Sequence, residues 1–167
     1  MRGSVSSEKQ RTGSSVASHK PKPRIFIDAD VLFAGSASPS AHSASLVILR
    51  MAEITLIDAC TSNQVISEVE HNLGEKMPAA LPAFTLIVQR CLRVVENTSP
   101  EDVIAINGSA DPKDLPILAT ALREKCAFLA TYNIRHFQPG VPGVQVLTPG
   151  DLVQRIRYLL TQLDDGG

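Results

Sequence analysis

The stretch Arg24-Ile25-Phe26-Ile27-Asp28-Ala29-Asp30 decides how the rest of the chain is read. Three consecutive apolar residues leave no polar position for a wet face, which predicts a strand covered on both sides, as in a parallel sheet. The strand then runs into two acids one residue apart. An acid at the end of an apolar strand is costly to desolvate unless it is used. In parallel α/β sheets, function gathers beyond the carboxyl ends of the strands. A central strand delivering carboxylates to a site is the reading from which the rest follows.

Working outward, four more short apolar runs read as strands: Ile54–Asp58, Leu92–Val95, Ala127–Ala130 and Val144–Leu147. Helical patterns fill the spaces between them. Leu46, Ile48, Leu49 and Ala52 mark a helix over Ser43–Glu53, and Val65, Ile66, Val69 and Leu73 mark one opened by Ser62 and stopped by Gly74. Further helices are expected over Ala83–Arg90, Glu101–Ile106 and Pro112–Lys125. In the last of these Leu115, Leu118, Ala119 and Leu122 line one side, with Asp111 as its cap. Thr148 and Pro149 open a final helix to about Leu163. The residues after Asp30, through Ser36, read as a turn and loop. Apolar strands alternating with helices imply an α/β fold, a three-layer α/β/α sandwich with a central parallel sheet of four to five strands.

A length of 167 residues suits one domain with its own core. No apolar run approaches the roughly 20 residues needed to span a bilayer, and the amino terminus lacks the apolar middle of a secretory signal. Cys60, Cys91 and Cys126 are widely spaced and form no C-x-x-C pair, so they are expected to be structural thiols in a reducing cytoplasm. Residues 1–23 carry five Lys/Arg against Glu8, +4, while the rest carries 11 basic and 16 acidic residues, −5. The Ser-rich, aperiodic 1–23 reads as a disordered basic leader, 24–163 as the domain and 164–167 as a tail.

The candidate site follows from the strand ends. Asp28 and Asp30 close the first strand, Thr131 and Asn133 follow the fourth, Glu68 lies on a helix and Asp114 opens the helix before the fourth strand. Carboxylates gathered without compensating bases repel one another, so they protonate or collect a cation. A hard divalent ion such as Mg²⁺ or Mn²⁺ suits an oxygen-rich site and activates water for attack on phosphate. Each residue also has a plainer role: Asp30 capping a turn, Glu68 a solvated helix charge, Asp111 an N-cap and Asp114 a capping-box partner. His42, His71 and His136 show no metal-ligand spacing, and no Gly-x-Ser-x-Gly elbow supports a serine nucleophile.

Taken in order, these segments resemble the PIN-domain family. Ile25 through Leu32 (IFIDADVL) is similar to its opening hhhDTNhLh motif, Ser62 through Glu68 (SNQVISE) to its second-acid helix, Asp114 through Ala121 (DLPILATA) to its third, and Leu129 through Asn133 (LATYN) to its closing hhxTxD. The resemblance runs from Arg24 to Leu163. It implies an Mg²⁺- or Mn²⁺-dependent endoribonuclease of the VapC-like kind, the toxin of a bacterial toxin–antitoxin pair. RNA would be its substrate, an antitoxin its partner, and a homodimer its assembly. Asp28, Glu68 and Asp114 then become the catalytic and metal-site acids, with Asn133 a further ligand, Asp30 and Thr131 auxiliary, and Arg135 a contact to substrate phosphate. Asp30 stands where the family pattern has Asn, and Asn133 where it has Asp, which leaves open whether one metal or two would bind.

Two other readings fit parts of this pattern. A haloacid-dehalogenase-type phosphatase also places Asp-x-Asp after an apolar strand, with Asp28 as nucleophile and Asp30 as acid/base, but no acidic pair follows a late strand here. A degenerate, non-catalytic PIN binding domain would tolerate Asn133.

Overall fold

The computed structural model describes residues 22–38 and 40–164. The leader read over 1–23 therefore lies, as far as residue 21, outside the described residues, as do residues 165–167 of the tail. Five strands, β1 (Arg24–Ile27), β2 (Asp58–Ser62), β3 (Arg93–Val95), β4 (Phe128–Ala130) and β5 (Gln145–Leu147), form one parallel sheet in the order β3-β2-β1-β4-β5. The α/β reading with a central parallel sheet holds. β1 is central because Ile25, Phe26 and Ile27 are wholly buried and can face only other protein.

Seven helices cover the sheet: α1 (Ala29–Ala37), α2 (Ala44–Glu53), α3 (Asn63–Lys76), α4 (Leu81–Cys91), α5 (Pro100–Ala105), α6 (Leu115–Arg123) and α7 (Pro149–Asp164). α1–α4 pack among themselves, and α5 packs on α6. α1 touches α2, α3 and α4, and α7 packs on α2. Among the described residues no helix is long and apolar enough to cross a membrane.

Several local expectations fail. The residues after Asp28 are not a loop but α1, which buries Ala29, Val31, Leu32 and Gly35. A helix enclosed by neighbours keeps no polar stripe, so no amphipathic period announces it. Gly35 is part of that enclosure, since a Cβ there would meet Leu49 Cδ1 at 2.7 Å.

The second strand is Asp58–Ser62 rather than Ile54–Asp58. The main-chain N–H of Ile54 turns back to Arg50 O (3.0 Å) and that of Leu56 to Met51 O (2.9 Å), so these donors finish α2 and are unavailable to a sheet. Thr55 adopts φ 65°, the left-handed conformation such a terminus uses.

α6 begins at Leu115, not Pro112, and Asp111 is not its cap. Asp111 heads a turn instead, its carbonyl accepting from Asp114 N (2.8 Å) and Leu115 N (3.1 Å). Leu122, expected in the core with Leu115 and Leu118, is exposed. Gly74 does not stop α3, which continues to Lys76.

Candidate metal and active site

Strand order reverses at β1: β2 and β3 lie on one side of it, β4 and β5 on the other. Beyond the carboxyl ends of β1 and β4, the neighbouring chains diverge and leave a crevice. Ile27 pairs with Ala130, so the residues that follow, Asp28 and Thr131, emerge level with each other. The Asp28 N–H still donates to Ala130 O at 3.0 Å, which fixes the height of the acid above the sheet.

Local sequence then sets each carboxylate. Asp28 precedes α1 and accepts from Ala29 N–H at 2.8 Å. Asp30, in the first turn of α1, accepts at one oxygen from Tyr132 N–H (2.9 Å) and Asn133 Nδ2–H (3.2 Å). Thr131 is wholly buried, and its hydroxyl lies 2.9 Å from Asp28 Oδ2 and 3.2 Å from Asp30 Oδ2. With one proton, it donates to one acid at a time and holds the pair in register. Ser62 caps α3 through Val65 N–H, and that helix carries Glu68. Asp114 occupies the N-cap position of α6 but makes no capping bond with its side chain. Its carboxylate is therefore free to face the crevice.

Asp28, Asp30, Glu68, Asp114 and Asn133 line a single cavity of about 120 Å³. Gln64, Lys113 and His136 complete the polar part of its wall. The Asp114 Oδ2 is buried and accepts no hydrogen bond, although His136 Nδ1 lies 3.4 Å away. Arg135 does not line this cavity. It borders a neighbouring depression with Tyr132 and His136.

The electrostatics follow from four acids in one place. Burial, then the charge of Asp30, lifts Asp28 from 3.8 to about 7, against the pull of its bonds to Ala29 and Thr131. Burial also raises Asp30, though its hydrogen bonds resist. Glu68 is raised by desolvation and by the charges of Asp114 and Asp30. Asp114 is raised by burial, which outweighs the opposing charges of His136 and Lys113. Carboxylates held this way stay ionised only at a cost, and a cation removes that cost. The donor set is mostly oxygen and includes a buried oxygen with no partner, so it fits a hard divalent ion.

Sequence reasoning missed Lys113 and His136. Lys113 neighbours Asp114, and its charge could have been counted beside the acids. His136 carries no local signal, because its approach to Asp114 depends on the main chain rather than on spacing.

A parallel α/β domain with an acid-lined crevice at the reversal of strand order is one class of protein, and the comparisons narrow it. A family model described as the PIN domain matches residues 24–135, most of the chain, and this protein belongs to that family. No curated protein matches the chain. Among solved structures, VapBC2 from Rickettsia felis, crystallised with a DNA fragment from its promoter, is 14% identical with a TM-score of 0.57, covering 75% of this chain and 98% of that one. PAE2754 from Pyrobaculum aerophilum is 15% identical with a TM-score of 0.60, covering 82% and 97%. At such identities these structures share the fold.

Proposed function

We propose that this protein is a divalent-metal-dependent endoribonuclease, built on the toxin plan of VapC-like PIN proteins. The observation that supports this reading best is the cavity in which Asp28, Glu68 and Asp114 meet, with Asp28 pushed to about 7 and Asp114 Oδ2 left without a donor. Asp28, Glu68 and Asp114 would hold Mg²⁺ or Mn²⁺, and Asn133 would offer an amide oxygen beside them. When bound, that ion supplies Lewis acidity toward a phosphate oxygen and lowers the pKa of a water.

The chain's own groups do the rest. Thr131 and the amides of Ala29 and Tyr132 fix the directions of Asp28 and Asp30. Lys113 at the rim adds a positive charge where a phosphodiester would enter, and Arg135 lies outside it as a second contact to the backbone. An antitoxin and a second copy of this chain are the partners this reading carries.

Asp30 bears on the phosphatase alternative. Three groups already contact its carboxylate, which favours a positioning role for it over proton transfer in this reading.

The test is cleavage of single-stranded RNA with Mg²⁺ or Mn²⁺, with EDTA as control and Asp28→Asn as the inactive reference. Metal-dependent cutting lost in Asp28→Asn supports the proposal. Hydrolysis of small phosphate esters without RNA cleavage would give the site to a phosphatase. RNA binding that survives both EDTA and Asp28→Asn, without cleavage, would make it a binding domain.

A further inference from the structure

A cavity at the other end of the sheet carries the opposite charge. It measures about 490 Å³ and lies where β1 begins and α4 ends, lined by Lys22, Arg24, Arg90 and Arg93. Asp58 is its one acid among the described residues. Residues 24–167 are acidic as a body, with 11 Lys/Arg against 16 Asp/Glu, yet three of those 11 meet here beside Lys22. Bases concentrated in a cleft of an acidic domain make a local field that draws anions.

The four bases are not used alike. Arg93 is fully engaged, its Nε and Nη2 donating to Asp58 at 3.3 Å and its Nη1 to Glu124 at 3.0 Å. It braces the wall. Arg24 donates through Nε to Asp58 Oδ2 at 2.9 Å and through Nη1 to Glu124 O at 2.8 Å. Those bonds fix its guanidinium plane and leave Nη2 without a partner among the described residues. Lys22 and Arg90 form no ion pair among the described residues. With Asp58 and Glu124 both counted, two positive charges stay uncompensated. A rigid guanidinium with a free edge, flanked by two free cations, is a donor set suited to phosphate.

The remaining wall indicates what the phosphate is attached to. Ala52, Ile57, Ala59 and Leu92 give the cavity an apolar floor, and the first three are buried. Inorganic phosphate would leave that floor and most of the volume unused. A volume of this size is typical of small-molecule sites.

We propose that this cavity is a second ligand site, for a phosphate monoester on an organic body the size of one nucleotide. Lys22, Arg24 and Arg90 bind the phosphate, and the apolar floor takes the sugar or base. Arg24 opens β1 and Asp28 follows its last residue, so the site is separate from the acid cavity and stands whether or not that cavity holds a metal. A free nucleotide and the 5′ end of an RNA share this chemistry.

The experiment uses the full chain, stripped of metal with EDTA and dialysed free of it. Its probes are AMP, inorganic phosphate, and a short oligoribonucleotide with and without a 5′-phosphate. Half-buried Cys91 in the cavity wall supplies a local readout, its rate of alkylation by iodoacetamide. A phosphate ester is expected to protect Cys91 at concentrations about tenfold or more below those inorganic phosphate needs, because only the ester covers the apolar floor. Arg90→Gln and Lys22→Gln should each weaken that protection about tenfold, the effect of losing one charge-assisted hydrogen bond. Both side chains are exposed, so the variants should fold, and thermal unfolding checks that they do.

Protection by AMP assigns a free nucleotide, and protection by the 5′-phosphorylated oligonucleotide alone assigns an RNA end. Either upholds the site. It is overturned if no ester slows alkylation of Cys91, if inorganic phosphate protects as well as the esters, or if Arg90→Gln and Lys22→Gln are protected like the parent. Equal protection by the 5′-hydroxyl oligonucleotide would also overturn it, since a terminal phosphate would then not be what is recognised.

Discussion

At the amino end of the sheet, Asp58 and Glu124 sit among arginines. At its carboxyl end, Asp28, Asp30, Glu68 and Asp114 share a cavity whose basic lining, among the described residues, is Lys113 and His136. The strands are the same and the acids are of the same kinds, yet they are treated oppositely. Arg24 Nε reaches Asp58 Oδ2 at 2.9 Å, and Arg93 bridges Asp58 at 3.3 Å to Glu124 at 3.0 Å. Burial pushes Asp58 up, but the hydrogen bonds and charges of Arg93 and Arg24 outweigh it and hold the acid below its usual range. Glu124 is likewise lowered, first by Arg93. At the other end burial wins at every acid. Desolvation acts at both ends, so what separates them is whether hydrogen bonds and charges from nearby bases outweigh it. The end that neutralises itself lowers its acids, and the end that does not leaves them raised.

The largest effect should come from removing charge at the unneutralised end. Glu68→Gln and Asp114→Asn are each expected to slow RNA cleavage by about 10²-fold or more, as loss of a preorganised electrostatic group does. The double variant should lose far less than the product of the two. Arg93→Met, at the neutralised end, should leave the rate unchanged. Equal losses at the two ends would erase the distinction between them.

Stability against pH sharpens the comparison next. With its folded value raised from 3.8 to about 7, Asp28 makes the metal-free folded state bind more protons than the unfolded chain between about pH 4 and 7. Its contribution is therefore fully present below pH 4 and is lost as pH rises through 7. In EDTA, Asp28→Asn should melt above the parent at pH 8, with the gap closing toward pH 4. A gap independent of pH would show that Asp28 is not held in its raised state.

Asn133→Asp is expected to tighten Mn²⁺ or Mg²⁺ binding by about tenfold, because a carboxylate is the stronger hard-cation ligand. It should also lower metal-free stability, since the bond from Asn133 Nδ2 to Asp30 is replaced by repulsion. Calorimetry showing unchanged or weaker binding would place residue 133 away from the metal.

The smallest effect should be the stability change in Arg93→Met. Partly exposed ion pairs contribute little, so a loss of about 1 kcal/mol or less is expected in denaturant unfolding. A much larger loss would mean that the amino-end network holds the strands together.

The cysteines belong with the packed interior. Cys60 and Cys126 are buried with sulfurs 3.5 Å apart, and Cys91 is half-buried, all away from the acid cavity.

The sequence by itself determined the central strand, the parallel sheet and the acids Asp28, Glu68 and Asp114. These are legible because strand burial, helix period and the residue closing an apolar run are local properties of consecutive residues. Tertiary structure alone decided that α1 exists, since a helix covered by its neighbours has no polar face to reveal it. It also moved β2 to Asp58–Ser62, because the end of α2 had already taken the donors of Ile54 and Leu56. The side chains that face Asp58 and Asp114 were likewise invisible along the chain. Arg93 and His136 reach them across more than 20 residues, by strand order in one case and by a main-chain clip in the other. Only that long-range placement decides which acids are neutralised and which are left open.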